Sequence, residues 1–366
     1  MLIVACISAH GFGHGSRSAA VLTALMARCP HWRLVLSTAL PRSFLNLAMG
    51  TVPFEHRSCQ WDVGVVQADA LGSDPAATLA ALEALEARLP AQIACEVAWL
   101  EAQRHDPSEP ILVLGDVPPA AARLAAQLGA PLLWLASFGW EAIYGPMGPA
   151  FAPWADAAVA AYRQGQLLIR CPLAMPIDWG IAQVQVGLTA STPRLDAAGL
   201  AQLSAELALP VGLPAADGRD RCVLISFGGM GLDLADAPLQ RWPDHVFIGH
   251  DAALARHPNG RVLPAGLRPL DLMPLCGRMI TKPGYSSFCE ALSQGVGIHL
   301  VQRDGFAEAA VLDNDLQNHG HHRLLSREAF MAGDWQLDQP LLPPRLGPLP
   351  STGSDEAAAA IAAMAP

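Results

Sequence analysis

Short runs of apolar residues, each closed by glycine, proline or serine, alternate along the chain with longer amphipathic stretches. The first run, Leu2 to Ile7, precedes a stretch in which Val21, Leu22 and Leu25 share one helical face. A second apolar run, Arg33 to Ser37, follows. Continuous apolar runs of about four to eight residues are typical of strands buried on both faces of a parallel sheet. The pattern predicts an α/β protein with doubly wound parallel sheets.

The same alternation predicts further strands, at Ile111 to Gly115, Pro131 to Ser137, Gln166 to Cys171, Cys222 to Phe227, His245 to Gly249, Arg261 to Leu263, Met279 to Thr281 and Gly297 to Gln302. Helices are predicted from Asp74 to Arg104, with an interruption at Pro90, and from Pro118. An irregular stretch from Pro172 to Pro214 is the predicted joint between two domains, 1–190 and 191–340. The proline-rich tail, 341–366, ends in a short alanine helix that Ser354 is expected to cap, and it is expected to return to the first domain.

A glycine turn in the second half of the chain predicts an anion site. The buried run Met279 to Thr281 is broken by Pro283 and Gly284, and Ser286 and Ser287 are then placed to cap a helix that starts at Phe288. The first turn of a helix presents backbone N–H groups and the positive end of the dipole at the carboxyl edge of the sheet. We therefore expect a phosphate group to bind here.

The same turn carries Lys282, the only lysine in the chain; all the other residues in the Lys+Arg count of 23 are arginine. Its position beside the turn favours a cation that contacts a diphosphate over an ordinary surface lysine.

Another glycine-rich segment follows the first strand and reads SAHGFGHGS. The spacing of Gly11, Gly13 and Ser16 imitates a dinucleotide-binding fingerprint, but no acidic residue ends the second strand to hold a ribose. This excludes a nicotinamide enzyme. What remains is a predicted flexible loop at a strand's carboxyl end that carries His10 and His14, which are candidate catalytic residues.

Asp116 comes directly after the predicted strand Ile111 to Gly115 and shortly before a predicted helix. A carboxylate in this position is either a helix N-cap or an acid of the site, and we expect Asp116 to cap the helix and also to orient a histidine. Trp140 and Tyr144 lie beside glycines; aromatic side chains in such a segment more often pack than stack on a sugar.

Composition excludes several classes of protein. The hydrophobic content of 52% and the mean hydropathy of +0.28 come largely from alanine, and no apolar run has the length of a membrane span. The net charge is −10 without a basic tract, which argues against nucleic acid. The eight cysteines form no CxxC pair, so neither a zinc site nor a disulfide framework is expected. Asp313 and Asp315 form a DxD string within a predicted helix, where they point to different sides, so no metal is expected there. We expect a cytoplasmic protein.

Taken in order, these segments resemble the GT-B glycosyltransferases, and within them the N-terminal glycosyltransferase-like half of plant L-arabinokinases. The resemblance reaches to about Trp335, and no kinase loop follows. The stretches that carry it are AHGFGHGSR (9–17), VQADAL (66–71), GDVPPAAARLAAQLGAP (115–131), ASFGWEAIY (136–144), SFGG (226–229), TKPGYSSFCEAL (281–292) and VQRDGFAEAAVL (301–312).

The resemblance implies two Rossmann-like domains facing a cleft, with the acceptor on the first and a nucleotide sugar on the second. It implies His14 as general base and an acceptor loop with Gly11, Gly13 and Trp140. The implied donor-binding residues are Gly228, Gly229, Ser286 and Ser287 at the diphosphate, Glu290 at the ribose, backbone near Leu267 at the base, and Asp304 and Glu308 at the sugar hydroxyls. Lys282, Gly284 and Arg303 are further donor-binding candidates. Ser286 and Ser287 replace a glycine-threonine pair of the arabinokinases, which leaves the fine donor geometry open.

We therefore expect a metal-independent glycosyltransferase without a cofactor, whose partners are a nucleotide sugar and a small-molecule or glycan acceptor. His14 and Asp116 are predicted to face one another across the same cleft. Two alternatives stay open: a nucleotide-sugar epimerase or hydrolase of the same fold, and a non-catalytic nucleotide-sugar-binding protein. Neither the base, the sugar, the acceptor, the stereochemical outcome nor the oligomeric state follows from the sequence.

Overall fold

A computed structural model of the chain describes residues 1–66, 74–210, 218–228, 234, 236–302 and 307–365. The chain divides into two compact units. The first contains Met1–Thr189, a segment that ends at Glu308, and the C-terminal segment from Thr352; the second contains the remainder of the chain after Thr189.

The first unit is built on a seven-stranded sheet in the order β3-β2-β1-β4-β5-β6-β7, with every pairing parallel. β1 and β4 are buried along their whole length, because their side chains are covered on both faces of the sheet. The strands are β1 (Leu2–Ile7), β2 (Arg33–Ser37), β3 (Glu55–Arg57), β4 (Ile111–Asp116), β5 (Leu132–Ala136), β6 (Leu167–Arg170) and β7 (Gln183–Gln185).

Within the described residues, the helices that connect the strands of this unit are α1 (Phe12–Arg28), α2 (Arg42–Met49), α3 (Pro75–Gln103), α4 (Ala121–Leu128), α5 (Trp140–Tyr144) and α6 (Ala152–Tyr162). Helix α3 runs through Pro90 without a break, so the predicted interruption there is wrong. Its buried residues on both sides of the proline, including Leu89 and Ile93, continue one apolar stripe. Burial of that stripe outweighs the single hydrogen bond that proline removes.

The second unit is built on a six-stranded sheet in the order β10-β9-β8-β11-β12-β13, again with every pairing parallel. Its strands are β8 (Cys222–Ser226), β9 (Val246–Gly249), β10 (Gly260–Val262), β11 (Arg278–Thr281), β12 (Gly297–Val301) and β13 (His322–Leu325). Its helices are α7 (Ala197–Glu206), α8 (Pro269–Leu272), α9 (Tyr285–Ser293), α10 (Ala307–His319) and α11 (Arg327–Ala332). A core around Phe247, Ile280 and Trp335 packs against this sheet.

The last helix, α12 (Gly353–Ala363), belongs to the first unit and packs against α1. Ala357, Ala358 and Ile361 are buried. Thr352 is the N-cap and makes no side-chain cap bond, so the predicted capping by Ser354 is wrong; Ser354 lies inside the helix. The first turn of α12 is also tied to the segment after β7, because the Glu356 carboxylate accepts a 2.8 Å hydrogen bond from the backbone N–H of Gly187.

Candidate functional site

The carboxyl ends of β1 and β4 lie side by side because these strands are neighbours in a parallel sheet. Ile7 is paired with Asp116, the last residue of β4. The next backbone N–H, that of Ser8, donates to the Asp116 carbonyl oxygen at 3.3 Å. The segment that follows β1 therefore starts beside Asp116, at the edge where open α/β sheets bind ligands.

Helix α1 begins at Phe12, directly after Gly11, whose φ of 86° turns the chain out of the strand. His14 and Gly13 are therefore in the first turn of a helix, so the predicted loop placement is wrong for them, whereas His10 lies in the connection before the helix. Close packing requires a glycine at position 15, since a Cβ on Gly15 would lie 2.5 Å from the Phe44 ring. The glycines of this segment thus permit close packing of a helix and do not mark a mobile loop.

Asp116 is fully buried, and its carboxylate accepts hydrogen bonds from side chains of α1. The Arg17 guanidinium donates from Nε to Oδ2 at 3.2 Å and from Nη2 to Oδ1, and Ser18 Oγ donates to Oδ2 at 2.5 Å. Burial alone would raise the pKa of Asp116, but the charge of Arg17 and the adjacent His14 outweigh it and hold the pKa at about 2. The carboxylate is therefore ionised at neutral pH.

His14 Nδ1 lies 2.9 Å from Asp116 Oδ1, so the predicted pairing of these two side chains is present, within the first unit. An ionised carboxylate only accepts hydrogen bonds, which assigns the hydrogen of the neutral imidazole to Nδ1. The lone pair is then on Nε2, which no side chain or backbone group contacts by a hydrogen bond within the described ranges. This is the tautomer that a general base requires.

The prediction that Asp116 caps the next helix is wrong. Helix α4 begins at Ala121, and its N-cap residue is Ala120. The chain leaves β4 through Val117, which is fully buried and has a φ of 77°. Such a conformation is strained for a β-branched residue, and the Tyr162 hydroxyl supports it by donating to the Val117 carbonyl at 2.7 Å. After this turn, the Asp116 carboxylate does not cap α4 and instead accepts hydrogen bonds from side chains of α1.

A second buried carboxylate, Asp62, lies near this pair. Trp140 Nε1 donates to its Oδ2 at 2.9 Å, and burial raises the pKa of Asp62. The His10 ring packs edge-on against Trp140, with 5.6 Å between ring centroids. It also lies so close to Gly64 that a Cβ there would be 2.2 Å from His10 Nδ1. Trp140 is 0% exposed, so its ring is a packing element and presents no face to an acceptor.

Sequence reasoning assigned no role to Arg17, Ser18 or Asp62. Arg17 and Ser18 follow His14 by three and four residues, so a helix that begins at Phe12 places all three on one face. That spacing could have predicted a shared site for the three residues, but the segment was interpreted as a loop and the helical spacing was not considered.

Glu308 lies near the start of α10 and groups with the first unit. It is buried, and Oε1 has no hydrogen-bond partner among the described residues. Burial raises the pKa of Glu308, and the charges of His14 and Arg17 oppose this in part. A buried carboxyl oxygen without a partner is suited to accept a hydrogen bond from a ligand.

The candidate anion site of the second unit is at the carboxyl ends of β8 and β11, which are neighbours in the sheet. Thr281 Oγ donates to the Ser226 carbonyl at 2.6 Å and ties the two strand ends together. Gly228 has a φ of 69°, and a Cβ built on it would lie 4.0 Å from Cε of Lys282. The stem of the sole lysine therefore runs beside the turn that follows β8.

Helix α9 begins at Tyr285 with Gly284 as its N-cap residue, so the predicted capping by Ser286 and Ser287 is wrong. Both serines are in the first turn, and Ser286 is buried. First-turn N–H groups have no acceptor inside a helix and lie at the positive end of its dipole. The helix start is thus about one turn earlier than predicted, three residues after Lys282 in the sequence.

Among the other donor candidates, Leu267 lies in the loop between β10 and α8, where its N–H donates to the Pro264 carbonyl at 3.3 Å. Gly229, Arg303 and Asp304 lie outside the described residues, as does most of the VQADAL stretch.

Glu290 lies one turn further along α9. Burial raises its pKa to about 7, and the Arg268 guanidinium opposes this only in part. The folded protein therefore favours the protonated carboxyl, so the penalty for ionising Glu290 is absent below the unfolded value near 4.5 and complete above about 7.

We expect Glu290→Gln to raise the melting temperature at pH 8 and to leave it nearly unchanged at pH 4.5, because the substitution removes only the cost of the charged form. Thermal unfolding at the two pH values measures this. Glu206→Gln, which changes an exposed glutamate of α7 in the same unit, is the matched control. An equal effect of Glu290→Gln at both pH values would contradict the expectation.

Two kinds of feature are absent from the described part of the chain. No group of three or more His, Cys, Asp or Glu side chains is arranged to hold a metal ion. No helix within these ranges combines the length and the apolar character that a membrane span needs.

No protein-family model matches the chain. Among curated proteins, it is 27% identical over 336 residues to the L-arabinokinase of Arabidopsis thaliana, a match that covers 90% of this chain and 31% of that protein. The chain thus spans about a third of the length of this relative.

Solved structures share the fold. A UDP-glucose:anthocyanidin 3-O-glucosyltransferase in complex with UDP superposes with a TM-score of 0.59 at 13% identity, over 98% of this chain and 93% of that one. The chain has the GT-B fold. Phytolacca americana UGT2 with UDP-2-fluoroglucose and pterostilbene gives 0.57 at 13% identity, over 98% and 89% of the two chains. A Polygonum tinctorium UDP-glucosyltransferase gives 0.58 at 14%, over 92% and 88%. The expected fold class is confirmed.

Proposed function

We propose that the chain is a glycosyltransferase that moves a sugar from a nucleotide-diphosphate sugar to a hydroxyl group of a small-molecule or glycan acceptor, without a metal ion. The observation that carries the proposal is the His14–Asp116 pair, at 2.9 Å, at the carboxyl edge of the first sheet. It occurs on a GT-B fold, and the solved structures with this fold include glucosyltransferases bound to UDP and to a UDP-sugar analogue.

The reaction needs a base at the acceptor. His14 Nε2 takes the proton of the acceptor hydroxyl, and the acceptor oxygen forms a bond to the anomeric carbon of the donor sugar. The bond from that carbon to the diphosphate oxygen breaks, and the nucleoside diphosphate leaves with the electron pair. Asp116 holds the ring through Nδ1 and stabilises the imidazolium that forms.

The reaction also needs stabilisation of the diphosphate that leaves. The N-terminus of α9 supplies backbone N–H groups, and Lys282 supplies a positive charge beside Gly228. We assign the remaining donor contacts by the resemblance to arabinokinases: Gly229, Gly284, Ser286 and Ser287 to the diphosphate, Glu290 to the ribose, the backbone near Leu267 to the base, and Arg303, Asp304 and Glu308 to the sugar.

Thermal shift with a panel of UDP-, GDP-, ADP- and TDP-sugars tests the proposal. A donor that binds only the folded protein at 100 times its Kd stabilises it by about 2.7 kcal/mol, and so raises the melting temperature. The donor that binds is then incubated with and without an acceptor library, and free nucleoside diphosphate is measured. Acceptor-dependent release supports a transferase, release from donor alone indicates the hydrolase, and binding without turnover indicates a sensor.

Lys282→Met is the variant that tests the diphosphate assignment. Loss of one charge-assisted contact should weaken donor binding by about 10- to 100-fold, because such contacts contribute about 1.5–3 kcal/mol. Titration calorimetry measures the Kd. Arg221→Met is the matched control, since Arg221 is exposed and precedes β8, at the opposite edge of the sheet. Equal Kd values for Lys282→Met and the unmodified chain would remove Lys282 from the site.

A further inference from the structure

Arg17 is 1% exposed, and its guanidinium lies against the two candidate catalytic residues His14 and Asp116. It donates to both oxygens of Asp116, and its Nη1 donates to Ser137 Oγ at 2.8 Å. Its Nη2 also lies 3.2 Å from His14 Nδ1. Because Nδ1 already carries the hydrogen donated to Asp116, this last approach joins two donors and is not a hydrogen bond. The structure thus holds a positive charge against the ring of the candidate base.

The other charged groups near His14 do not duplicate this arrangement. Asp62 and Glu308 also interact electrostatically with His14, and burial raises the pKa of each. Asp116 is held ionised. Among the described residues, Asp116 and Arg17 are the charged groups whose side-chain atoms lie within 3.2 Å of the imidazole.

We propose that Arg17 is a positioning residue that neutralises Asp116, so that the aspartate fixes the Nδ1–H tautomer of His14 without drawing a second proton onto the ring. A lone buried carboxylate beside a histidine favours the imidazolium, which is unable to accept a proton. With Arg17 bound to both carboxylate oxygens, the hydrogen bond that orients the ring remains and the net attraction for a proton falls. The role of His14 as a base rests on the proposed function. The compensation of the Asp116 charge by Arg17 is independent of that function.

NMR titration of the full chain labelled with ¹⁵N-histidine tests the charge compensation without any substrate. The chain has 12 histidines, and the signal of His14 is the one lost in His14→Gln. We expect Arg17→Gln, which keeps N–H donors but lacks the charge, to raise the midpoint of the His14 titration by about 1 unit or more. Arg17→Lys keeps a positive charge but loses the bidentate geometry, so it should raise the midpoint by less than Arg17→Gln does.

Two controls separate this role from a purely structural one. Arg123→Gln removes an arginine of the same unit from an exposed 2.8 Å ion pair with Glu86, and it should leave the His14 titration unchanged. If Arg17→Gln does not fold, the ¹⁵N shifts of the unmodified chain decide the question, because the hydrogen bond to Asp116 requires the hydrogen of the neutral ring to be on Nδ1. An unchanged or lowered midpoint in folded Arg17→Gln, or an Nε2–H tautomer in the unmodified chain, would overturn the proposal.

Once a transferable donor and acceptor are known, the pH profile of kcat/KM gives a second readout. The acid limb of the profile should move up by the same interval in Arg17→Gln as the NMR midpoint does. An upward NMR shift combined with an unmoved acid limb would mean that the compensation is present but that His14 is not the base.

Discussion

His14→Ala is expected to lower kcat for sugar transfer by about 10²- to 10⁴-fold, the range that general bases contribute. The substitution removes Nε2, and with it the group that takes the acceptor's proton. The donor site on the second unit is left intact, so the thermal shift produced by the nucleotide sugar should not change. Initial rates of nucleoside diphosphate release, with saturating acceptor, measure the effect.

His31→Ala is the matched control for this variant, because His31 is an exposed histidine in the turn after α1. Its kcat should equal that of the unmodified chain. Full transferase activity in His14→Ala would remove His14 from the mechanism, whereas loss of the donor-induced thermal shift would show that the variant damages more than the base.

Asp116→Ala is expected to destabilise the first unit by about 3–5 kcal/mol, the cost of breaking a buried ion pair and leaving one charge uncompensated. Asp116 and Arg17 are each 1% exposed. Without the carboxylate, the Arg17 guanidinium loses both of its acceptors on Asp116, and water has no easy access to replace them. Urea unfolding followed by tryptophan fluorescence measures the loss; of the nine tryptophans, only Trp242 and Trp335 belong to the second unit.

Glu86→Ala provides the comparison, since Glu86 pairs with Arg123 at 2.8 Å where both side chains are exposed. Exposed pairs contribute about 0–1 kcal/mol, so the unfolding midpoint should hardly move. If Asp116→Ala were no more destabilising than Glu86→Ala, the buried network would not be stabilising the fold in the way its geometry indicates.

The apolar runs predicted the central strands of both sheets because these strands are buried on both faces and their sequences are mostly apolar. β1 and β2 have the predicted bounds. The edge strands β3 and β7 were missed, since EHR and QVQ are short and carry no apolar pattern. Their hydrogen bonds to a neighbouring strand define them, and that pairing is a tertiary property.

The pairing of His14 with Asp116 could be predicted from the sequence because both follow buried strands, and neighbouring parallel strands end at one edge of the sheet. The residues that surround the pair could not be predicted. Glycine has low helix propensity, so a segment with Gly11, Gly13 and Gly15 is read as a loop. The segment is nevertheless helical from Phe12, and at Gly15 the close approach of Phe44, which comes from the fold, leaves no room for a side chain. Arg17 was hidden by the same misreading.

The serines at the second unit's glycine turn show a smaller error of the same kind. Serine is a frequent N-cap residue, so Ser286 and Ser287 were placed outside the helix. The chain instead starts α9 at Tyr285, a buried side chain, with Gly284 in extended backbone before it. The helix therefore starts three residues before the predicted Phe288.

The return of α12 to the first unit has a consequence for how the protein is made. Helix α12 packs on α1, the helix that carries His14, and Glu356 bonds the backbone of Gly187. During synthesis the ribosome must therefore translate the whole second unit before the partner of α1 exists. Until then, the side of α1 that packs on α12 is uncovered. Domains of multidomain chains usually fold in the order of translation, but here the first unit reaches its final structure only after the second unit has been synthesised.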